Sequence, residues 1–511
     1  MTAEQQVSFG RRLTDLAAAH GDGRTAITLA CQDGREDTLT WAGLERWANR
    51  VARLFAARGV DARSMVCIGI YNSLEHYAAA YGAWKLGACT LPLSPRMPDV
   101  EFRGITGLVE KRLVIADRAG ADLAKADITA LRDGGPGIDA WDDAALPDVT
   151  AHPGKAIGSG GSTGRSKIIV DPKQWARVPG NMASFPGVGF RSGQVQLVAG
   201  PLYHNSPFSW GHYGLFEEQH LVVLERFDAA RAVDMIERHR CQFMFLAPTM
   251  MQRIVRLEDI ETRDLSSIES VFQTAAPCPQ WLKRRWMELT APEKLVESFG
   301  ASEANGSCRI RGDEWLLHPG SVGRPINAEL RILDESLAEV PQGEVGEIFF
   351  RPNVHPQPTY YYIGSAPAKH TPDGFISVGD MGYVDGEGYL YLSDRRVDLI
   401  IRGGANIYPA EVEAALSEHP DVADAVVIGI PHEELGKSVH AIIERRPGVL
   451  LDEAVLRGWM RARLTPYKMP ESYEFMDALP RDQSGKIRRS ALAREREGMA
   501  GSVAGAGRMA G

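Results

Sequence analysis

The 511-residue sequence has no uninterrupted apolar run of about 18 residues, the least a membrane-spanning helix requires. Its opening, MTAEQQVSFG, lacks the basic-then-apolar order of a secretory signal. Cysteine is sparse. Cys31, Cys67, Cys89, Cys241, Cys278 and Cys308 are scattered with no CxxC spacing, which argues against zinc ligation and against a disulfide framework. They read as thiols of a reducing compartment, and a cytoplasmic protein is expected. Positive charge is also short. With 57 Lys+Arg against 66 Asp+Glu the formal net charge is -9, the wrong sign for a nucleic-acid binder. Any anionic ligand must therefore be met by a local cluster of cations or backbone N–H groups. No short-period repeat is visible. What is present, 44% hydrophobic and 24% charged residues, is ordinary globular material long enough for more than one domain.

One stretch departs from that ordinary texture. Ser159-Gly160-Gly161-Ser162-Thr163-Gly164-Arg165-Ser166-Lys167 is followed by the apolar run Ile168-Ile169-Val170. Glycines let backbone N–H groups turn into a concave nest, and hydroxyls and a lysine add donors, which is the chemistry a polyphosphate requires. A flexible Gly/Ser linker is the competing reading. The stretch is not a Walker loop, because Gly164 is followed by Arg165 and the sequel reads as a strand rather than a helix.

Along the chain, Thr40 to Arg58 carries apolar residues at helical spacing with Gly59 as a stop. Met65–Ile70 reads as a buried strand, Asn72 or Ser73 as the cap of a helix through Leu86, and Cys89–Leu93 as a second strand. That order is a βαβ unit and predicts a parallel sheet covered on both faces. Further strands are expected at Val195–Ala199, Gln242–Leu246 and Ser270–Gln273, with a helix over Ala229–Arg240, giving an α/β region of two similar sheets up to about Gly343. From there short strands and turns predominate, with Asp385-Gly386 as a hairpin signal. Past Asp394 the pattern predicts a small α+β unit, with helices over Pro409–Leu416 and Asp452–Leu464 and strands at Ala425–Ile430 and Ala441–Glu444. The expected fold class is α/β: a large N-terminal domain of stacked α/β sheets plus a strand-rich subdomain (1–394), a small mobile α+β domain (395–497) and a low-complexity tail (498–511).

Four further segments complete the constellation. Glu297-Ser-Phe-Gly-Ala-Ser-Glu303 offers a hydroxyl and a carboxylate beside a glycine turn, and Ser377-Val-Gly-Asp380 places an acid after a tight turn. Asp394-Arg-Arg-Val-Asp-Leu-Ile-Ile-Arg-Gly-Gly-Ala-Asn-Ile-Tyr-Pro409 sets arginines beside a second glycine pair, and Asp482-Gln-Ser-Gly-Lys-Ile-Arg488 holds a lysine on a turn. Singly, each also reads as solvated loop charge or an ordinary turn. Together, in this order, they resemble the adenylate-forming superfamily of acyl-CoA ligases, adenylation domains and luciferases, over about Thr40 to Leu492.

That resemblance implies ATP (leaving as AMP), Mg²⁺ and coenzyme A as cofactors, and a carboxylic acid activated as its acyl-adenylate before capture by a thiol. Catalysis of this kind rests on positioning and on neutralising dispersed negative charge. By resemblance, Ser162, Thr163 and Gly164 with Lys167 cradle the β- and γ-phosphates, Ser302 touches the α-phosphate, and Glu303 holds Mg²⁺. Ala275, Ala276 and Pro277 with Ser298 and Phe299 form the adenine slot, while Asp380 accepts the ribose hydroxyls with Arg395 in support. Lys486 reaches the carboxylate and α-phosphate in the first step and swings away when the C-terminal domain rotates. Arg402, Gly403, Gly404 and Lys437, with Arg396, Arg445 and Arg446, are candidates for the coenzyme A face, a solvated basic face being the alternative.

Amino-acid-activating relatives carry an aspartate where His204 stands, which implies an acid without an α-amino group. His204 is read as a gate or carboxylate neighbour; Phe208, Trp210, Tyr213, Gly300 and Ala301 are candidates for the acyl pocket. The texture resembles stand-alone acyl-CoA ligases of bulky polycyclic acids, of the bile-acid or diterpenoid type. In the family's loop, serine, proline and glycine are usual where Gly160, Ser166 and Ile168 stand here. Losing the proline raises the entropic cost of ordering the loop, and Val397 occupies a hinge position where Asp or Lys is usual. These departures favour, as an alternative, an enzyme that works mainly on acyl-adenylate made by a partner adenylating enzyme. A non-catalytic acyl or AMP binder is the further alternative, and a homodimer is left open.

Overall fold

The computed structural model describes residues 6–129, 137–160, 166–181, 187–353, 359–395, 398, 400–402, 405–432, 435–481, 487 and 489–496. The βαβ unit forms as its sequence dictates. Ser73 caps the helix Leu74–Trp84 by accepting from His76 N, and the flanking strands Met65–Gly69 and Cys89–Pro92 pair in parallel. The preceding helix, Trp41–Ala57, is capped by Thr40 and followed by Gly59 at φ +82°, a left-handed turn that glycine enters without a Cβ clash.

Parallel strands continue across two sheets. In the larger, Thr25–Ala30, His220–Leu224, Val195–Val198, Phe243–Leu246, Ser270–Gln273 and Leu295–Gly300 lie side by side in that spatial order, all parallel. The smaller sheet runs Tyr361–Ile363, Ser166–Asp171, Lys155–Gly160, Cys89–Pro92, Met65–Gly69 and Arg112–Ala116, with its first two strands antiparallel to their neighbours. Largely buried helices fill the space between them. Leu74–Trp84 and Asn205–Phe216 place Tyr77, Trp84 and Phe208 in the main core with Phe9 and Phe216.

The two sheets are not the similar pair expected. The strand-rich region does not stand apart; Ser307–Arg311, Ser321–Ile326, Leu390–Arg395, Ile376–Val384, Gly346–Pro352 and Ala328–Leu333 extend the larger sheet to thirteen described strands. Strand Leu295–Gly300 pairs parallel on one side and antiparallel on the other, so one hydrogen-bonded edge carries the parallel pattern into the meander. Asp385 heads the expected hairpin, accepting from the N–H groups of Glu387 and Tyr389.

The C-terminal region is α+β. Strands Ala405–Ile407, Ile400–Arg402, Gly436–Arg445 and Val422–His432 form a sheet with Ser472–Met476, and the helices Pro409–Ser417 and Glu453–Arg461 pack on it around a core of its own. Arg256 and Gln252 each donate to the Ala423 carbonyl, at 2.6 and 2.8 Å, joining the two regions by a few polar bonds. The low-complexity tail 498–511 lies outside the described residues.

Candidate active site

In open parallel sheets, ligands are bound beyond the carboxyl ends of the strands. Several of the motifs singled out in the sequence follow such an end. Ser270–Gln273 leads to Ala275-Ala276-Pro277, Leu295–Gly300 to Ser302 and Glu303, Val195–Val198 to His204, and Lys155–Gly160 to the Gly/Ser stretch. The centre of that stretch, with Ser162, Thr163 and Gly164, lies outside the described residues, as do Lys486, Gly403, Gly404, Arg396 and Val397; the side chain of Arg395 does too.

The strands flanking the stretch bring one cluster together. Lys167, on Ser166–Asp171, places its ammonium 3.8 Å from the ring centroid of Tyr362 and 3.5 Å from Glu303 Oε1. Tyr362 donates to the same carboxylate oxygen at 2.7 Å. Burial and the neighbouring carboxylate hold the Tyr362 phenol far above its ordinary range, so it stays a donor. Thr359 Oγ1 lies 3.0 Å from the Glu303 carbonyl and 2.9 Å from Asn305 Oδ1, fixing the loop backbone. Tyr362 and Thr359 carried no sequence signal; only the pairing of Tyr361–Ile363 with Val170–Ile168 brings them here.

Two turn expectations are corrected. Ser298, Phe299 and Gly300 continue a strand, with Gly300 opposite Ser307, and the turn falls only after it, where Ala304 N donates to Ala301 O. Asp380 likewise lies inside Ile376–Val384, because pairing with Leu390–Arg395 extends the strand through Gly379 at φ +77°. That pairing sets Asp380 directly opposite Arg395. In the candidate adenine slot Ala275 has φ +83°, a conformation costly for a residue with a Cβ. Ser298 donates to Cys308 O, and Phe299 packs near Phe350. Beneath the motif the buried Glu297 is held by Lys283; burial raises its carboxyl above the ordinary range.

His204 precedes the helix Asn205–Phe216 and lies against Tyr203, ring centroids 4.8 Å apart. Trp210 and Tyr213 on that helix line a cavity of about 220 Å³ that also touches Ser302. Phe208 does not line it. One face of the helix turns inward, and Phe208 is fully buried against Trp84 and His212, a core residue rather than an acyl contact. Ile168 is corrected as well: its side chain is buried with Leu93 and Ile105, so its β-branch is core packing and not a change in phosphate chemistry.

On the C-terminal region Arg402 pairs with Glu471 and donates to Tyr467 O, Lys437 is exposed, and Arg445 lies 4.0 Å over Phe475. A second cavity of about 250 Å³ gathers Arg96, Arg226, Arg253 and Arg481 beside Tyr71. Spread over four sequence segments, these arginines formed no motif.

The described chemistry is a cation, a carboxylate and a phenol at the seam of two sheets, with the cation on the strand that follows the Gly/Ser stretch in sequence. Among the described residues no helix is long and apolar enough to cross a membrane. The sequence profile of AMP-binding enzymes matches residues 14–361, and that of the AMP-binding enzyme C-terminal domain matches residues 411–486. A 2-succinylbenzoate–CoA ligase of Geobacillus kaustophilus is 32% identical over 92% of this chain and 95% of its own. A 3-(7a-methyl-1,5-dioxo-octahydro-inden-4-yl)propanoyl:CoA ligase of Mycobacterium tuberculosis is 30% identical over 86% of this chain and 90% of its own. Among solved structures, o-succinylbenzoate CoA synthetase of Bacillus subtilis with its acyl-adenylate intermediate superposes with TM-score 0.79 at 24% identity, over 96% of this chain and 98% of that one.

Proposed function

Because the chain belongs to the family of AMP-binding enzymes, an acyl-CoA ligase superfamily, we propose that it joins a bulky, ring-bearing acid without an α-amino group to coenzyme A. The coarse activity follows from the membership: an acid–thiol ligase that works through an acyl-adenylate and takes a carboxylic acid, ATP and coenzyme A. The bulky acid is supported by the ring-bearing acids in the names of both relatives and by the aromatic lining of Trp210 and Tyr213.

The observation that carries the site assignment is the Lys167–Glu303–Tyr362 cluster. Lys167 and Glu303 compensate one another across 3.5 Å, a separation at which each is available to a stronger partner. A polyphosphate takes the lysine, and Tyr362 keeps the freed carboxylate oriented. Glu303 suits Mg²⁺, which binds through one or two carboxylates together with substrate phosphates. The metal would neutralise phosphate charge; orientation of the carboxylate is the work of Tyr362 and Thr359. In this reading Ser302 meets the α-phosphate, Asp380 with Arg395 the ribose, the Ala275 turn with Phe299 the adenine, and His204 the acid's carboxylate. Lys486 serves the first half-reaction and withdraws for the second, on a mobile domain beginning near residue 395. The arginines of the 250 Å³ cavity supply a cationic patch for coenzyme A phosphates, in addition to the candidates Arg402 and Lys437. A cytoplasmic location completes the reading.

The test supplies a matched acid panel twice: as free acids with ATP, Mg²⁺ and coenzyme A, and as synthetic acyl-adenylates with coenzyme A alone, with acyl-CoA followed by mass. Product from both inputs is expected. Product from the adenylates only assigns the first half-reaction to a partner enzyme. No thioester from either input would overturn coenzyme A as acceptor.

A further inference from the structure

Lys155 is 8% exposed and lies at the start of the strand that leads into the Gly/Ser stretch. Its ammonium donates to Asn205 Oδ1 at 2.7 Å and Ser209 Oγ at 2.9 Å, and the Trp175 ring centroid lies 5.8 Å away. An ammonium carries three donors, and these neutral acceptors use two of them. Among the described residues it makes no ion pair. Asp171 faces it across the strand pair, yet beyond ion-pair distance. A buried charge without a directly bonded counter-charge is costly, and burial lowers the lysine's pKa although Asp171 opposes the shift.

Lys155 lines, with Asp171 and Lys173, the same 220 Å³ cavity that reaches Ser302 and Ala304, the neighbours of Glu303 on either side. Trp210 and Tyr213, from the helix read as acyl contact, form another part of its wall. The third N–H of a buried ammonium therefore has for its surroundings a space that opens where the reacting carboxylate is activated. A core lysine with a purely structural role would be expected to carry a carboxylate partner, as Lys283 does with Glu297 and Lys85 with Glu45.

We propose that Lys155 is a specificity residue that pairs with a second carboxylate on the acid, remote from the one that is activated. The inference rests on the ligase reading and names the substrate class of that same site. At about 220 Å³ the cavity is below the roughly 300–1,000 Å³ of pockets that take a whole drug-sized ligand, so the second carboxylate is carried on a short arm. Asn205 and Ser209 hold the ammonium in place, Asp171 favours its charge from across the strand pair, and the incoming carboxylate supplies the direct ion-pair partner that Asp171 is too far away to be.

The test uses acid pairs of one skeleton, in which the remote carboxylate is present or replaced by its methyl ester, over arms of increasing length. Binding to the full chain is measured by calorimetry with a non-hydrolysable ATP analogue, and acyl-CoA formation as kcat/KM. Wild type is expected to favour the diacid by about 10- to 100-fold, the value of a buried charge-assisted hydrogen bond. In Lys155→Met that ratio collapses towards one, whereas Lys155→Arg retains most of it. Thermal unfolding checks the fold; if Lys155→Met does not fold, Lys155→Gln supplies the same comparison. A wild-type ratio near one at every arm length, or a ratio unchanged in the variant, overturns the inference. Diacid binding that depends on Lys155 without thioester formation would overturn the ligase reading and leave the Lys155 site standing.

Discussion

Two histidines in the main core make acid stability a quantitative test of the packing. His76 and His212 are fully buried on the helices Leu74–Trp84 and Asn205–Phe216, packed among Tyr77, Trp84 and Phe208. Burial pushes both pKa values down to about 3, against 6.5 for the free side chain. Between those values the unfolded chain binds protons that the folded chain refuses, so stability is complete above pH 6.5 and falls as the pH drops. Each histidine costs about 1.4 kcal/mol per pH unit, so at pH 5 the pair removes about 4 kcal/mol, a large share of a typical domain's 5–15 kcal/mol. The assay is urea unfolding of the full chain between pH 7.5 and 5, followed by tryptophan fluorescence, since Trp84 reports this core. The variant His76→Leu, and the same change at His212, should flatten the pH dependence by about half each. An identical pH slope in wild type and in the double variant would refute the assignment of neutral, buried imidazoles.

Ile168→Gly, which restores the residue usual in the family's loop, should lower stability by about 2–5 kcal/mol, because it empties a fully buried site, and a melting curve reads the loss. An unchanged melting temperature would sink the packing account. Glu303→Gln keeps an acceptor for Tyr362 but removes the charge; ATP–pyrophosphate exchange should fall by about 10²–10³-fold while thioester formation from preformed acyl-adenylate is largely retained. Equal losses in both half-reactions would contradict a role confined to the phosphate step.

Elements that depend on nearest neighbours were legible without coordinates. The cap at Thr40, the stop at Gly59, the βαβ unit around Leu74–Trp84 and the hairpin at Asp385 each follow from chemistry within a few residues. The same holds for Lys167 and Glu303, whose motifs are short and rich in unusual residue types. Mistakes arose where strand pairing decided. Gly300 and Gly379 signal a turn locally, yet pairing with Ser307–Arg311 and Leu390–Arg395 extends the strands through them.

The sequence by itself determined the family, the order of the parallel strands' motifs and the chemical types at the site, since these reside in contiguous residues. Only the tertiary structure decided which distant residues meet them. Tyr362 reaches Glu303 from 59 positions away, and Lys155 gains Asn205 and Ser209 from 50 and 54. Phe208 and Trp210 are two residues apart on one helix, about 200° around its axis, so one enters the main core while the other packs on Phe243 and Phe272 and also forms a cavity wall. Contacts of that kind depend on how sheets and helices pack in space, and a linear pattern does not encode the faces that meet.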